Sequence, residues 1–486
     1  MQATDTTTHR RQQHHVVGVM NDSDSLLWTI GRDPVLRSPI VAVVVLDEAP
    51  DWGRFARRLE RLTRQVPRLR SVARPRPAGF GAPRWVEADD FDLALHLRHV
   101  AVPEPRDLRT VLDIAQVMGS TAFDPELPLW EAVAFDGLAG DGAAVVIKVH
   151  HSVVDGVGGI SVLGRLLDLA PTAAPAPRPR RRPPAHQAAG SFALPAPLAQ
   201  AADLARRAAE QWVHDMTHPV DPLRRAQATA ESVGRLLAPT PAPLSPLLTG
   251  RGIERRFDVL DVDLDRLRAA AAVEEGTIND AFVAATLAGL ARYHERHATE
   301  ARRLRVLMPI NIRGRGDAEG GNRFVPARFT VDGTAVSPRQ RIRHVHERAA
   351  AWKHAPALGL SDTLAAVLNH LPPQAATAMF GSMLKGLDFV VTNVPGPPVE
   401  TWLAGAHVGA LYAFGPTSGS AVNVALVTPG GRGCVGVNTD VAAAPDAQVM
   451  ARCIAQGFDE ILELAPRRSR APRQARPAQR GPKVAR

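Results

Sequence analysis

The sequence predicts an α/β protein built as two lobes of similar size, and three observations carry that expectation. Apolar runs of strand length alternate with helical patterns in both halves of the chain. Near the middle, "PTAAPAPRPRRRPPAHQAAG" from Pro171 breaks the alternation with Pro, Ala and Arg and reads as an interdomain linker. The length, 486 residues with 45% hydrophobic and 22% charged, exceeds one ordinary core and is globular in composition.

Residues 1–20 read as a polar, disordered extension. The first lobe, 21–170, is expected to hold a strand at Ile40–Leu46 and a helix over Trp52–Gln65, with Phe55, Leu59 and Leu62 on one face. Strands follow at Arg84–Glu87, Leu95–Val100, Trp130–Phe135 and Ala143–Val149, then a helix over Gly158–Leu169. Residues 171–250 take the linker and connecting helices, with a helical patch around Leu198–Trp212. The second lobe, 251–466, begins with strand Arg255–Val262, helix Ile278–His294, strand Arg303–Ile310 and helices over 339–354 and 361–370. It continues with strands at Phe389–Thr392, Val408–Ala413, Ala421–Thr428 and Gly433–Thr439, and a last helix over Asp446–Leu464. Residues 467–486 are expected to be a disordered tail.

The net charge of +9 sits mostly in two places: the tail Arg467–Arg486, with seven Arg, one Lys and no acid, and "RPRRR" at 178–182. The rest of the chain is slightly acidic, so the basic balance describes appendages for anionic surfaces, or a solvated tail without a partner, and not a DNA-reading fold. Cys434 and Cys453 are too few for a disulfide framework or a zinc site, and no metal site is expected. A cytoplasmic location fits that cysteine usage. No apolar run approaches the ~18 residues of a membrane-spanning helix, and the N-terminus lacks the apolar region of a secretory signal.

Several chemical motifs are absent or misplaced. "GRGCVG" at 431–436 matches G-x-G-x-x-G but falls between two expected strands, which makes it a hairpin turn and not a dinucleotide loop. A G-x-S-x-G elbow, a P-loop and H-E-x-x-H do not occur. His14-His15 has no partner motif.

"VHHSVVDGVGG" at 149–159 is different. At the end of an alternating strand, His150 and His151 must face opposite sides, so one imidazole serves a site and the other is structural. Asp155 and Gly156 follow in a turn that Gly156 permits, with Asp155 free to orient the imidazole or to pin the loop on an arginine.

H-H-x-x-x-D-G after a strand is the signature of the CoA-dependent acyltransferase superfamily. The chain resembles its bacterial wax ester synthase/diacylglycerol acyltransferase branch in further segments: "PRWVEADDFDLALHLRHV" (83–100), "DPELPLWE" (124–131), "GTINDAFVAATLAGLARY" (276–293), "MPINIRGRGDAEGGNRF" (308–324), "VVTNVPGPP" (390–398) and the stretch 412–446. The resemblance covers about 22–465. It implies two chloramphenicol acetyltransferase-like lobes with a tunnel between them, entered by donor and acceptor from opposite faces. It makes His151 the general base, His150 its support, and Asp155 and Gly156 shapers of the loop, with Arg313 the salt-bridge partner of Asp155. Asn279 stands as the oxyanion donor with Asp280 beside it at the substrate. The same residues also read as a T-x-x-D capping box from Thr277 to Asp280, which leaves the Asn279 amide free. Pro128, Leu129 and Trp130 line the tunnel or pack the core.

The activity implied is transfer of a long acyl group from acyl-CoA, a substrate and not a cofactor, to diacylglycerol or a fatty alcohol. No cofactor and no covalent acyl-enzyme are expected, and association with a membrane or lipid-droplet surface is peripheral. Two alternatives remain open at this point: the same chemistry on a polyketide or glycolipid hydroxyl, or a catalytically silent lipid-binding protein. The Arg-rich tail lies outside the resemblance, and Val427-Thr428 stands where the family often has Ser-Tyr.

Overall fold

Three sheets and the helices packed on them make up the residues described by the computed structural model: 15–75, 81–154, 156–171, 238–240, 242–311, 324–334, 337–353 and 369–466. The first half runs β1 (Val16–Val19), α1 (Asp22–Ile30), β2 (Pro39–Leu46), α2 (Trp52–Gln65), β3 (Ser71–Arg74), β4 (Arg84–Glu87), β5 (Leu97–Ala101), α3 (Leu108–Ser120), β6 (Trp130–Leu138), β7 (Gly142–His150), α4 (Gly156–Gly164) and β8 (Leu167–Asp168). The second runs β9 (Arg255–Val262), α5 (Leu264–Ala272), α6 (Ile278–Arg296), β10 (Arg303–Asn311), β11 (Phe324–Asp332), α7 (Pro338–Lys353), α8 (Pro373–Leu384), β12 (Phe389–Val394), β13 (Trp402–Leu403), β14 (Ala406–Phe414), β15 (Val422–Val427), β16 (Gly433–Asp440) and α9 (Ala447–Leu462).

The first lobe is a seven-stranded sheet, β5-β6-β7-β2-β14-β13-β8. Its side-chain rows follow from register. Trp130 pairs with Val149, and Val149 with Ile40; one row along, Ala132, Ile147, Ala42 and Ala413 lie side by side across β6, β7, β2 and β14. Directly paired residues share a face. This face carries α2, whose Phe55, Leu59 and Leu62 are buried as the sequence spacing predicts, and whose first turn is capped by Asp51 accepting from the Arg54 N–H. The opposite face carries α3, through Val111, Leu112 and Ala115.

The second lobe is a six-stranded sheet, β11-β10-β12-β15-β16-β9, covered by α6. Every residue of α6 from Asp280 to Ala291 is buried, because α9, which itself touches β9 and β16, packs closely along it. Gly289 and Gly457 set that distance: a Cβ on Gly289 would lie 2.4 Å from Ile454 Cα, and one on Gly457 2.3 Å from Ala285 O.

β14 belongs to the second half by sequence, yet it pairs antiparallel with β2 of the first. β13 likewise pairs with β8. The lobes therefore share a sheet, and Phe257 of β9 stacks on Phe414 of β14 with ring centroids 4.1 Å apart. The sequence placed the strand near 408–413 correctly but not in the other lobe's sheet.

Two expectations need correction. The extension predicted over 1–20 ends earlier, since Val16–Val19 form an edge strand on β4 and Met20 is buried. The helix expected over Gly158–Leu169 stops at Gly164. Leu167 and Asp168 form β8 instead, held by pairing to β13 and by Arg54 and Arg58, which both donate to the Asp168 carboxylate. "GRGCVG" is a hairpin turn, with Gly430 and Gly431 at positive φ leading into β16, which pairs antiparallel with β15. The patch around Leu198–Trp212, most of the helix over 361–370 and the basic tail lie outside the described residues. No helix among the described residues is long and apolar enough to cross a membrane.

Candidate active site

His150 is the last residue of β7, and His151 follows with its N–H still donating to Ser38 O at 2.9 Å. Alternation sends them to opposite faces. His151 joins Val149 and Ile147 on the face that lines a cavity of about 200 Å³ between the lobes. From the first lobe come the rows at Ile40, Ala42, Trp130 and Ala132, together with Leu59 and Leu62 of α2 and Ile160 and Leu163 of α4. From the second half come Pro309 of β10, Thr392 to Val394 at the end of β12, Ala413, Gly415, Pro416 and Ala425. The wall is mainly aliphatic, with few polar groups, as ligand pockets generally are.

His150 is 8% exposed and faces the α3 side. Its Nδ1 accepts from the Ser152 N–H at 3.1 Å and lies 2.8 Å from Ser152 Oγ; the Phe123 ring stands edge-on to the imidazole. An accepting Nδ1 places the proton on Nε2 and keeps the ring neutral. Burial, reinforced by the neighbouring His151 and Lys148, pushes its pKa down to about 3. The unfolded chain, with an ordinary histidine near 6.5, then binds the proton more readily than the folded protein. This contribution to stability is complete above pH 6.5 and is lost as pH falls from there toward 3. We expect unfolding free energy to drop by about 2 kcal/mol between pH 7 and pH 5 from this residue. Urea titrations of wild type and His150→Gln at both pH values check it, since the variant loses that part of the pH dependence; an unchanged dependence would assign it elsewhere.

Lys148, on the same face, is fully buried against Glu131 at 2.8 Å and donates to Thr121 O, with its ammonium 4.1 Å from the Phe123 ring centroid. Burial lowers its pKa, and Glu131 opposes that.

Of the tripeptide at 128–130, Trp130 lines the cavity, stacked on His96 with its N–H donating to Leu69 O at 2.8 Å. Leu129 lies in the core around α2, and Pro128 is buried. Gly156 opens α4; Asp155 and Arg313 lie outside the described residues.

The capping box at α6 is present. Asp280 N–H donates to Thr277 Oγ1, and the Asp280 carboxylate accepts from Thr277 N–H and Oγ1. His346 lies 2.8 Å from the same carboxylate, so Asp280 is engaged in a buried network and is not part of the cavity wall. Asn279 is exposed at the first turn of α6, and its Oδ1 accepts from Asn393 Nδ2 at 2.6 Å.

This arrangement matches known proteins along most of the chain. Residues 20–282 match the wax ester synthase/diacylglycerol acyltransferase catalytic domain, and 320–462 the C-terminal domain of the same family. The chain belongs to the WS/DGAT family. A protein of Mycobacterium tuberculosis strain H37Rv whose name proposes a diacylglycerol O-acyltransferase is 34% identical over 453 residues, covering 91% of each chain. Among solved structures, the wax ester synthase/diacylglycerol acyltransferase from Marinobacter aquaeolei VT8 superposes with a TM-score of 0.61 at 21% identity, over 92% of this chain and 99% of that one. The first condensation domain of the calcium-dependent antibiotic synthetase shares the fold, with a TM-score of 0.58 at 16% identity over 92% and 96%.

Within this WS/DGAT chain, sequence reasoning missed several residues that shape the cavity. Asn423 and Asn438 are ladder partners on β15 and β16; their side-chain amides donate to Pro416 O and Gly415 O at 2.7 and 2.8 Å, fixing backbone that lines the cavity. A Cβ on Gly415 would lie 2.8 Å from Asn423 Nδ2. Thr392 and Asn393 stand within the quoted "VVTNVPGPP" but carried no assigned role. A hydroxyl and a carboxamide at the end of an apolar strand were the available signal.

Proposed function

We propose that this protein transfers a long acyl group from acyl-CoA to a hydroxyl, that of diacylglycerol to give triacylglycerol or that of a fatty alcohol to give a wax ester. The observation carrying this reading is the position of His151, the one imidazole among the described residues on the wall of an otherwise mainly aliphatic cavity between two lobes. The name of the mycobacterial relative supports diacylglycerol as acceptor, and that of the Marinobacter protein supports both.

In this mechanism neutral His151 is the general base. The acceptor oxygen attacks the thioester carbon while its proton passes to the imidazole, and the carbonyl oxygen takes the negative charge. Collapse of the tetrahedral intermediate expels the CoA thiolate, which recovers the proton from His151. The acyl group moves directly, with no covalent acyl-enzyme and no cofactor beyond the substrates. Lipid substrates and the basic tail Arg467–Arg486 together support peripheral attachment to a membrane or lipid-droplet surface.

Acceptor choice is tested by incubating the purified protein with palmitoyl-CoA and equimolar diacylglycerol and hexadecanol, followed by lipid chromatography. Triacylglycerol, wax ester or both is the expected product. Esterification of neither, by a folded protein that hydrolyses no thioester, would move the reading to a different acceptor hydroxyl.

A further inference from the structure

Among the described residues, four side chains on the cavity wall can form hydrogen bonds: Trp130, His151, Thr392 and Asn393. The Trp130 N–H is engaged by Leu69 O, and His151 is the base of the reading above, on which this inference rests. Thr392 and Asn393 are neighbours at the end of β12. In the parallel ladder to β15, Thr392 lies opposite Ala425, which also lines the cavity, whereas Val391 packs into the core beneath α6. Strand alternation therefore directs the Thr392 side chain to the cavity and Asn393 toward the first turn of α6. There Asn393 Nδ2 donates to Asn279 Oδ1 at 2.6 Å. Among the described residues, Thr392 carries the one hydroxyl on the cavity wall. Asn279 is not on that wall.

We propose that the Thr392 hydroxyl is the hydrogen-bond donor to the thioester carbonyl oxygen as it becomes an oxyanion, and that Asn279 and Asn393 form a positioning pair. Their bond ties the end of β12, and Thr392 with it, to the start of α6, whose own first turn is locked by the Thr277–Asp280 box. Thr392 keeps its proton throughout; the proton that moves is the acceptor hydroxyl's, to His151 and then to the departing thiolate. A donor fixed on a strand in a largely apolar cavity is worth most at the atom where charge develops. The role that the Asn-Asp pair suggests for Asn279 thereby passes to a residue 113 positions later on the neighbouring sheet, and Asn279 acts through it.

The test is steady-state kinetics with palmitoyl-CoA and hexadecanol or diacylglycerol on Thr392→Val, which keeps the β-branched shape, and Thr392→Ser, which keeps the hydroxyl. We expect Thr392→Val to lower kcat by about 10²- to 10³-fold with little change in KM, and Thr392→Ser to recover most of the loss. Asn393→Ala and Asn279→Ala should each lower kcat by roughly tenfold, and combining either with Thr392→Val should add little. A Thr392→Val enzyme with near wild-type kcat, or a Ser variant as slow as the Val variant, would overturn the proposal. So would an Asn279→Ala loss that exceeds the loss in Thr392→Val, because it would return the oxyanion role to Asn279. His151→Ala measured alongside separates the two claims: turnover retained there removes the base itself, whereas an inactive His151→Ala beside an active Thr392→Val removes the Thr392 assignment alone.

Discussion

His151→Ala is expected to lose kcat by about 10²- to 10⁴-fold in acyl transfer while folding normally, the range that a positioned general base contributes. Folding should be spared because the His151 side chain faces the cavity and its backbone N–H, bonded to Ser38 O, survives the substitution. His150 behaves differently. Its ring is buried on the other face and bonded to Ser152, so His150→Ala should lower stability through a cavity and an unsatisfied Ser152 N–H, and activity only as a consequence. Circular dichroism and urea unfolding beside thiol-release kinetics distinguish the two: His151→Ala is folded and inactive, and His150→Ala is destabilised. A folded His151→Ala with wild-type turnover would remove the mechanism.

The second large effect concerns chain length. Ala132, Ile147, Ala42 and Ala413 form one row across the sheet beneath the cavity, and three of the four are alanine. Small side chains there leave the space that Trp130 and the leucines of α2 enclose from above. Ala132→Phe is expected to fill part of that space and to lower kcat/KM for palmitoyl-CoA by about 10²-fold, while octanoyl-CoA is affected far less. The size follows from burial of about 0.8 kcal/mol per methylene, with roughly four methylenes displaced. Ala42→Phe, from the neighbouring strand, serves as a second variant should Phe at 132 strain β6. Equal losses for both chain lengths in both variants would place the acyl chain elsewhere.

Much of this site was legible in the sequence because its elements are local. Alternation along "AAVVIKVHH" is enough to separate His150 from His151, and the spacing of Phe55, Leu59 and Leu62 is enough to orient α2. Thr277 and Asp280 announced the start of α6 by their spacing, and the box is present in the structure. What was not legible depends on contacts between distant segments. Nothing in "VGALYAF" says that β14 leaves its own half to pair with β2, some 360 residues earlier. The same limit hid Thr392 and Asn393: their significance comes from a strand end meeting both the cavity and α6, and periodicity within β12 reports only an apolar run. The motif singles out Asn279 but could not say that its side chain turns to Asn393. Four helices, α1, α3, α5 and α8, also escaped the sequence reading; α1 and α8 are short amphipathic segments whose apolar faces, Leu26 and Ile30 on one and Met383 and Leu384 on the other, cover each other.

The measurement that bears most directly on the central claim is CoA thiol release from palmitoyl-CoA by wild type and His151→Ala, each with diacylglycerol, hexadecanol or no acceptor, with the lipid products separated afterwards. Direct acyl transfer by His151 in the interlobe cavity requires release that depends on an acceptor, yields one ester per thiol and falls by at least about 10²-fold in the variant. Release that is independent of acceptor, or an ester formed equally fast without the imidazole, would contradict it.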